Sequence, residues 1–135
     1  MTYHGYDITD YLRVAERLGG GEEAFRELVK ALKSRDIKLV LDGVFHHTSF
    51  FHPPFFRDVV ERGEESEYAD FYRVKGGFPV VSEEFIRVLK SDLPPMEKYQ
   101  TLKKMGWNYE SFFSVWVMPR LNHDSPKSGS SLQGL

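Results

Sequence analysis

Apolar and polar positions follow two different rules along this chain. Between Gly21 and Asp36 the apolar residues Phe25, Leu28, Val29 and Leu32 recur at i, i+3, i+4 and i+7, which predicts one amphipathic helix over 22–34. Gly19 to Gly21 break whatever precedes it. Glu22 and Glu23 sit where a helix N-terminus favours negative charge, and Lys30, Lys33 and Arg35 crowd the end that favours positive charge. The Phe25 stripe is expected to face a core. The stretch "KLVLDGVF", Lys38 to Phe45, follows at once. Short, nearly continuous and partly β-branched, it predicts a strand covered on both faces. A helix feeding directly into such a strand is half of a βαβ unit.

After Thr48 the period is lost. "SFFHPPFFRDVVERG" is aromatic and broken by Pro53 and Pro54. Asp70 to Val74 is a short strand candidate before a Gly-Gly turn. Ser82 reads as an N-cap before Glu83 and Glu84, opening one or two short helices split by Pro94-Pro95. "WNYESFFSVWVMPRLN" is aromatic and strand-like as far as Pro119, and "SPKSGSSLQGL" has no apolar periodicity.

A strand apolar on both faces needs parallel neighbours, because its edges cannot be left bare. No second run of that kind is visible in the 135 residues. The pattern therefore reads as a slice of a larger α/β protein. Composition narrows the partners. The net charge is −2, with 18 basic and 20 acidic residues and no basic stripe, which argues against nucleic acid. No apolar run approaches the ~18 residues of a membrane span. There is no cysteine, so thiolate chemistry is out. The opening "MTYHGYDITDY" has no signal-peptide pattern, so a cytoplasmic location is expected. Aromatics reach 15%, which suits a compact core and equally a sugar cleft.

The candidate chemistry lies where the apolar run ends. A carboxylate such as Asp42 costs several kcal/mol to bury unpaired. Either Asp42, His46 and His47 mark a working site, or they are a polar plug at a strand end. A metal cluster of His4, His46, His47 and His52 matches no zinc spacing, so no metal site is expected.

These residues resemble a family. "YHGYDITDY", then "LGG", a helix and "IKLVLDGVFHHTS" look like the alpha-amylase superfamily of glycoside hydrolases, closest to its neopullulanase, cyclomaltodextrinase and maltogenic amylase group. "FPV" and "VWVMPRLNHDSP" resemble the stretch that closes that group's long insertion. The similarity runs from about Tyr3 to Pro126. It implies an α/β fold: a fragment of a (β/α)8 TIM barrel with helix 2 and strand 3, plus an irregular α+β insertion like the family's domain B. The implied division is 1–49 barrel fragment, 50–126 insertion, and 127–135 a flexible tail or one added by cloning.

Barrel active sites lie at the C-terminal strand ends. The resemblance implies that His47 binds a hydroxyl of the sugar next to the scissile bond. It implies that His4 touches the same sugar, that Tyr6 stacks on its ring, and that Asp42 supports the site by pairing with basic neighbours. An aromatic plane suits the C–H face of a pyranose, and His and Asp suit its hydroxyls. The expected partner is an α-glucan or maltooligosaccharide. Two positions depart from the pattern. His46 replaces an Asn that holds calcium in many members, and imidazole is a poor ligand for that hard cation, so no cofactor is expected. Arg120 replaces a Lys. Retaining glycosidases need two carboxylates about 5 Å apart. In this family they follow later motifs, and no Gly-x-Arg-x-Asp stretch follows Asn122. The expectation is a partial catalytic domain carrying part of the sugar site and inactive alone. The alternatives are a non-enzymatic module binding glucan or a partner chain, and one piece of a split enzyme. With its strand unpartnered, the chain is expected to self-associate or to be completed by the missing barrel half.

Overall fold

A computed structural model describes residues 4–52 and 54–127. The chain divides into two compact units, one of residues 1–9 with 44–135 and one of residues 10–43.

The smaller unit is built on helix α1, Gly21–Ser34. Gly19, Gly20 and Gly21 all have positive φ, and a Cβ at Gly20 would come within 3.2 Å of Ala24 Cβ. The glycine run is thus a turn that only glycine fills without strain. The helix closes with Asp36 in the left-handed region at φ 54°. Ile37 N donates to Leu32 O and Asp36 N to Lys33 O, the two bonds of a Schellman cap. The predicted helix over 22–34 therefore forms. Its apolar stripe does not become a core: Leu28 is 48% exposed, and of the helix residues Gly21 is the buried one.

The predicted strand does not form either. Residues 38–45 run without a ladder, and among the described residues there is no β-strand, only isolated bridges. Val40 is 91% and Leu41 65% exposed. The reason is the one that made the sequence look incomplete. A strand takes its hydrogen bonds from neighbours, and no described segment supplies them.

The larger unit holds the core. Helix α2 spans Phe55–Arg62, α3 Glu83–Leu89 and α4 Pro95–Met105. Ser82 caps α3 as predicted, its Oγ accepting from Phe85 N at 3.1 Å. Pro94 and Pro95 separate α3 from α4, because proline suits a helix start and cannot continue a helix. Phe56, Val59, Val80, Phe85 and Leu102 are fully buried. Trp116 packs edge-on to Phe50 and Phe85 at 5.3 and 5.5 Å. Tyr109 OH donates to Trp116 O at 2.7 Å, which satisfies a carbonyl inside this cluster. Antiparallel bridges tie the pieces together at His47–Arg120, Tyr72–Leu121, Val74–Tyr109 and Ser111–Pro119. The strand-like reading of 70–74 and of the run to Pro119 thus reduces to single bridges. The predicted tail lies, from residue 128 on, outside the described residues.

Candidate functional site

Residues 46–50 run antiparallel to 117–121. Leu121 N donates to His46 O at 2.9 Å, Thr48 N to Pro119 O at 3.2 Å and Phe50 N to Val117 O at 2.7 Å. Thr48 is fully buried. Its hydroxyl donates to Ser49 O at 3.0 Å, so the Tyr72 hydroxyl, 2.8 Å away, is the donor to it.

This frame positions His47. Its Nε2 lies 2.7 Å from the backbone carbonyl oxygen of Tyr6. A carbonyl only accepts, so Nε2 carries the proton. His47 is 2% exposed, and Phe112 stacks on its ring at 4.8 Å and 20°. Burial pushes its pKa below the ordinary imidazole value; the Tyr6 hydrogen bond opposes this, and so, more weakly, does Asp7. Ser49 N also holds the first segment, donating to Ile8 O at 3.0 Å.

The clamped segment presents two rings. His4 and Tyr6 stack at 5.7 Å and 28°, and Tyr6 N donates to His4 Nδ1 at 3.0 Å. Both are exposed. The structure therefore brings His4, Tyr6 and His47 together in the larger unit. His47 is the buried joint, and His4 and Tyr6 are the face. Asp42 belongs to the smaller unit, exposed on the stretch without a ladder.

Beside His47 lies an open pocket of about 560 Å³, whose lining includes His46, Lys75, Trp107, Phe112, Phe113 and Arg120. Arg120 Nη1 donates to Glu110 Oε2 at 3.0 Å. Burial lowers the His46 pKa, and the positive charges of Arg120, His123 and Arg73 add to this. Among the described residues no three His, Asp or Glu side chains are grouped to hold a metal ion.

This pocket is absent from the reading of the sequence, which treats "SFFHPPFF" and "WNYESFFSVW" chiefly as packing. Trp116 does pack, whereas Trp107, Tyr109 and Phe112 both pack in or against the core and line the pocket, and Phe113 lines it. The available signal was the polar interruption "NYES" ahead of Phe112-Phe113, which leaves that pair outside any apolar period.

An aromatic face set by a buried histidine, beside a pocket of rings and paired charges, can hold a polyhydroxylated ligand. The catalytic-domain model of the alpha-amylase family matches residues 1–132, and the chain belongs to that family. It is 33% identical over 129 residues to neopullulanase 2 of Thermoactinomyces vulgaris, covering 93% of this chain and 18% of that protein. It is 34% identical over 127 residues to the intracellular maltogenic amylase of Bacillus subtilis, covering 88% of this chain and 21% of that one. The debranching enzyme of Nostoc punctiforme, in an acarbose-soaked crystal, superposes with a TM-score of 0.75 at 31% identity, over 99% of this chain and 24% of that one. The 135 residues thus span about a fifth of the curated relatives' length. The group suggested by "YHGYDITDY" and "IKLVLDGVFHHTS" is the group of these relatives.

Proposed function

We propose that this chain is the part of an α-glucan hydrolase of the neopullulanase and cyclomaltodextrinase type that carries one wall of its sugar site. In this reading the chain contributes the third strand of a (β/α)8 barrel and the insertion that follows it. Tyr6 and His4 take the sugar ring, His47 holds their segment from within by donating to the Tyr6 carbonyl, and Asp42 supports the site once its stretch is paired. The nucleophile and the acid/base carboxylate come from outside these residues.

The observation that carries the reading is the 2.7 Å contact between His47 Nε2 and the Tyr6 carbonyl. It joins two segments 41 residues apart, and they are the two whose motifs point to the family. Family membership supplies the ligand class, and the acarbose-soaked relative supports it. A second reading, completion by further barrel strands or by a second copy, is favoured by the exposed Val40 and Leu41.

Titration calorimetry with maltotriose on the chain and on His47→Ala, beside a hydrolysis assay, tests this. The expected result is binding that His47→Ala loses, with no hydrolysis. Absence of all binding overturns the sugar site. Turnover of starch or pullulan that survives purification and disappears in His47→Ala overturns the assignment of catalysis to other residues.

A further inference from the structure

Residues 38–45 carry a dipeptide whose chemistry depends on the stretch being left bare. Asp42 and Gly43 are adjacent, and both are exposed on the stretch without a ladder. Among the described residues, neither the Asp42 carboxylate nor Gly43 N takes part in a hydrogen bond. Gly43 is not one of the glycines at positive φ, so its backbone does not demand a glycine.

An aspartyl carboxyl can condense with the peptide nitrogen of the next residue under three conditions. That nitrogen must be free of a hydrogen bond. The following side chain must not crowd the attack. The backbone must be able to turn until the nitrogen reaches Cγ. A ladder forbids the first and the last, because it occupies N–H groups and fixes extended dihedrals. Gly43 meets the second by having no side chain. Every other aspartate except Asp124 precedes a branched or aromatic residue. Asp124 precedes Ser125, but Ser125 N donates to Asn122 O at 3.1 Å, and Arg73 Nη2 donates to Asp124 Oδ2 at 2.8 Å. Asp42–Gly43 therefore stands apart in both sequence and structure.

We propose that Asp42–Gly43 is a self-modification site, which converts to isoaspartate while 38–45 is unpaired and is protected once the stretch is paired. Gly43 N bonds to Asp42 Cγ and the Cγ–OH bond breaks. The hydroxyl leaves as water with the amide proton, giving a five-membered succinimide. Water then opens the ring. Attack at Cγ restores aspartate. Attack at the main-chain carbonyl carbon of Asp42 breaks its bond to Gly43 N and leaves the chain running through Cβ and Cγ. Nothing is oxidised or reduced, and water is the only co-reactant. The product has one more atom in its backbone, which breaks the two-residue alternation of a strand. An isomerised chain is thereby lost to strand pairing, whatever the partner. The proposal stands independently of the sugar-site reading.

The test is ageing of the full chain at neutral pH, at dilutions where light scattering gives a monomer, beside the same chain unfolded in urea. Isoaspartate is counted by methyl transfer from S-adenosylmethionine with an isoaspartyl methyltransferase. It is placed by electron-transfer fragmentation of the tryptic peptides 39–57 and 121–127. The expected result is isoaspartate at 42 forming as fast in the native chain as in urea, with position 124 protected in the native chain. Gly43→Val crowds the nitrogen, and Asp42→Glu keeps the carboxylate but would need a six-membered ring; each should lose the signal at 42. Both changes lie on exposed residues outside the aromatic core, so the fold should hold. Absence of isoaspartate at 42 in the aged monomer overturns the proposal. So does a native rate at 42 far below that in urea, which would mean that the stretch is held. Signal at 42 that survives in Asp42→Glu overturns the succinimide route.

Discussion

Replacing Phe56 by alanine decides where the stability of this chain resides. Phe56 is fully buried on α2, with ring centroids 5.2 Å from Phe50, 4.6 Å from Tyr72 and 4.8 Å from Tyr109. It thus links the stretch after His47, the bridge at Tyr72 and the bridge at Tyr109. Truncation removes six ring carbons and leaves a cavity that the three rings cannot all close, at a cost of about 3–5 kcal/mol. That is a large fraction of the ~5–15 kcal/mol that holds a domain together. At ~2 kcal/mol per M urea, the midpoint should fall by about 2 M. Trp116 is a built-in reporter, because it is 3% exposed and touches Phe50 and Phe85 in the same cluster. The companion variant is Leu41→Ala, at 65% exposure, which should cost under ~0.5 kcal/mol. Urea titrations followed by tryptophan emission and far-ultraviolet dichroism measure both. A loss below ~1 kcal/mol in Phe56→Ala refutes the aromatic core as the stabilising element. Measured at dilutions where the chain is monomeric, a loss in Leu41→Ala equal to that in Phe56→Ala would mean that residues 38–45 are buried within the monomer.

Two further outcomes follow from the same structure. Burial holds His47 below the ordinary imidazole pKa, so the unfolded chain takes up the proton more readily than the folded one. Stability should be constant above pH ~6.5 and fall as the pH drops from there through the folded pKa. His47→Phe, which keeps a ring against Phe112, should flatten that slope in thermal melts between pH 7 and 5; an identical slope refutes the assignment to His47. The exposed Leu39, Val40, Leu41 and Phe45 should drive association through 38–45, giving at least a dimer by light scattering that Val40→Lys weakens. A monodisperse, cooperatively unfolding monomer counts against it.

Local signals determined what the sequence alone could determine. The period of Phe25, Leu28, Val29 and Leu32, the glycines before it and the charges at its ends specify α1 without reference to anything distant. Ser82 and the Pro94-Pro95 break do the same for α3 and α4, since caps and proline act within one turn. The order of "YHGYDITDY" and "IKLVLDGVFHHTS" carried the family as well. Helix α2 was legible in principle, with Phe56 and Val59 on one face and the Arg57–Glu61 pair at i, i+4, but the two prolines and the aromatic run before it mask its start.

The tertiary structure decided the rest. An apolar run such as 38–45 becomes a strand only if neighbours offer hydrogen bonds, so its sequence specifies the demand for partners and not their supply. The irregular half, which reads as an excursion, owns the core, because ring packing among Phe50, Phe56, Phe85 and Trp116 follows no fixed period. Trp107 and Trp116 come from one run, yet Trp107 lines a pocket and Trp116 is buried in the core. His47 meets the Tyr6 carbonyl 41 positions away, and no local pattern encodes which backbone oxygen a histidine will find.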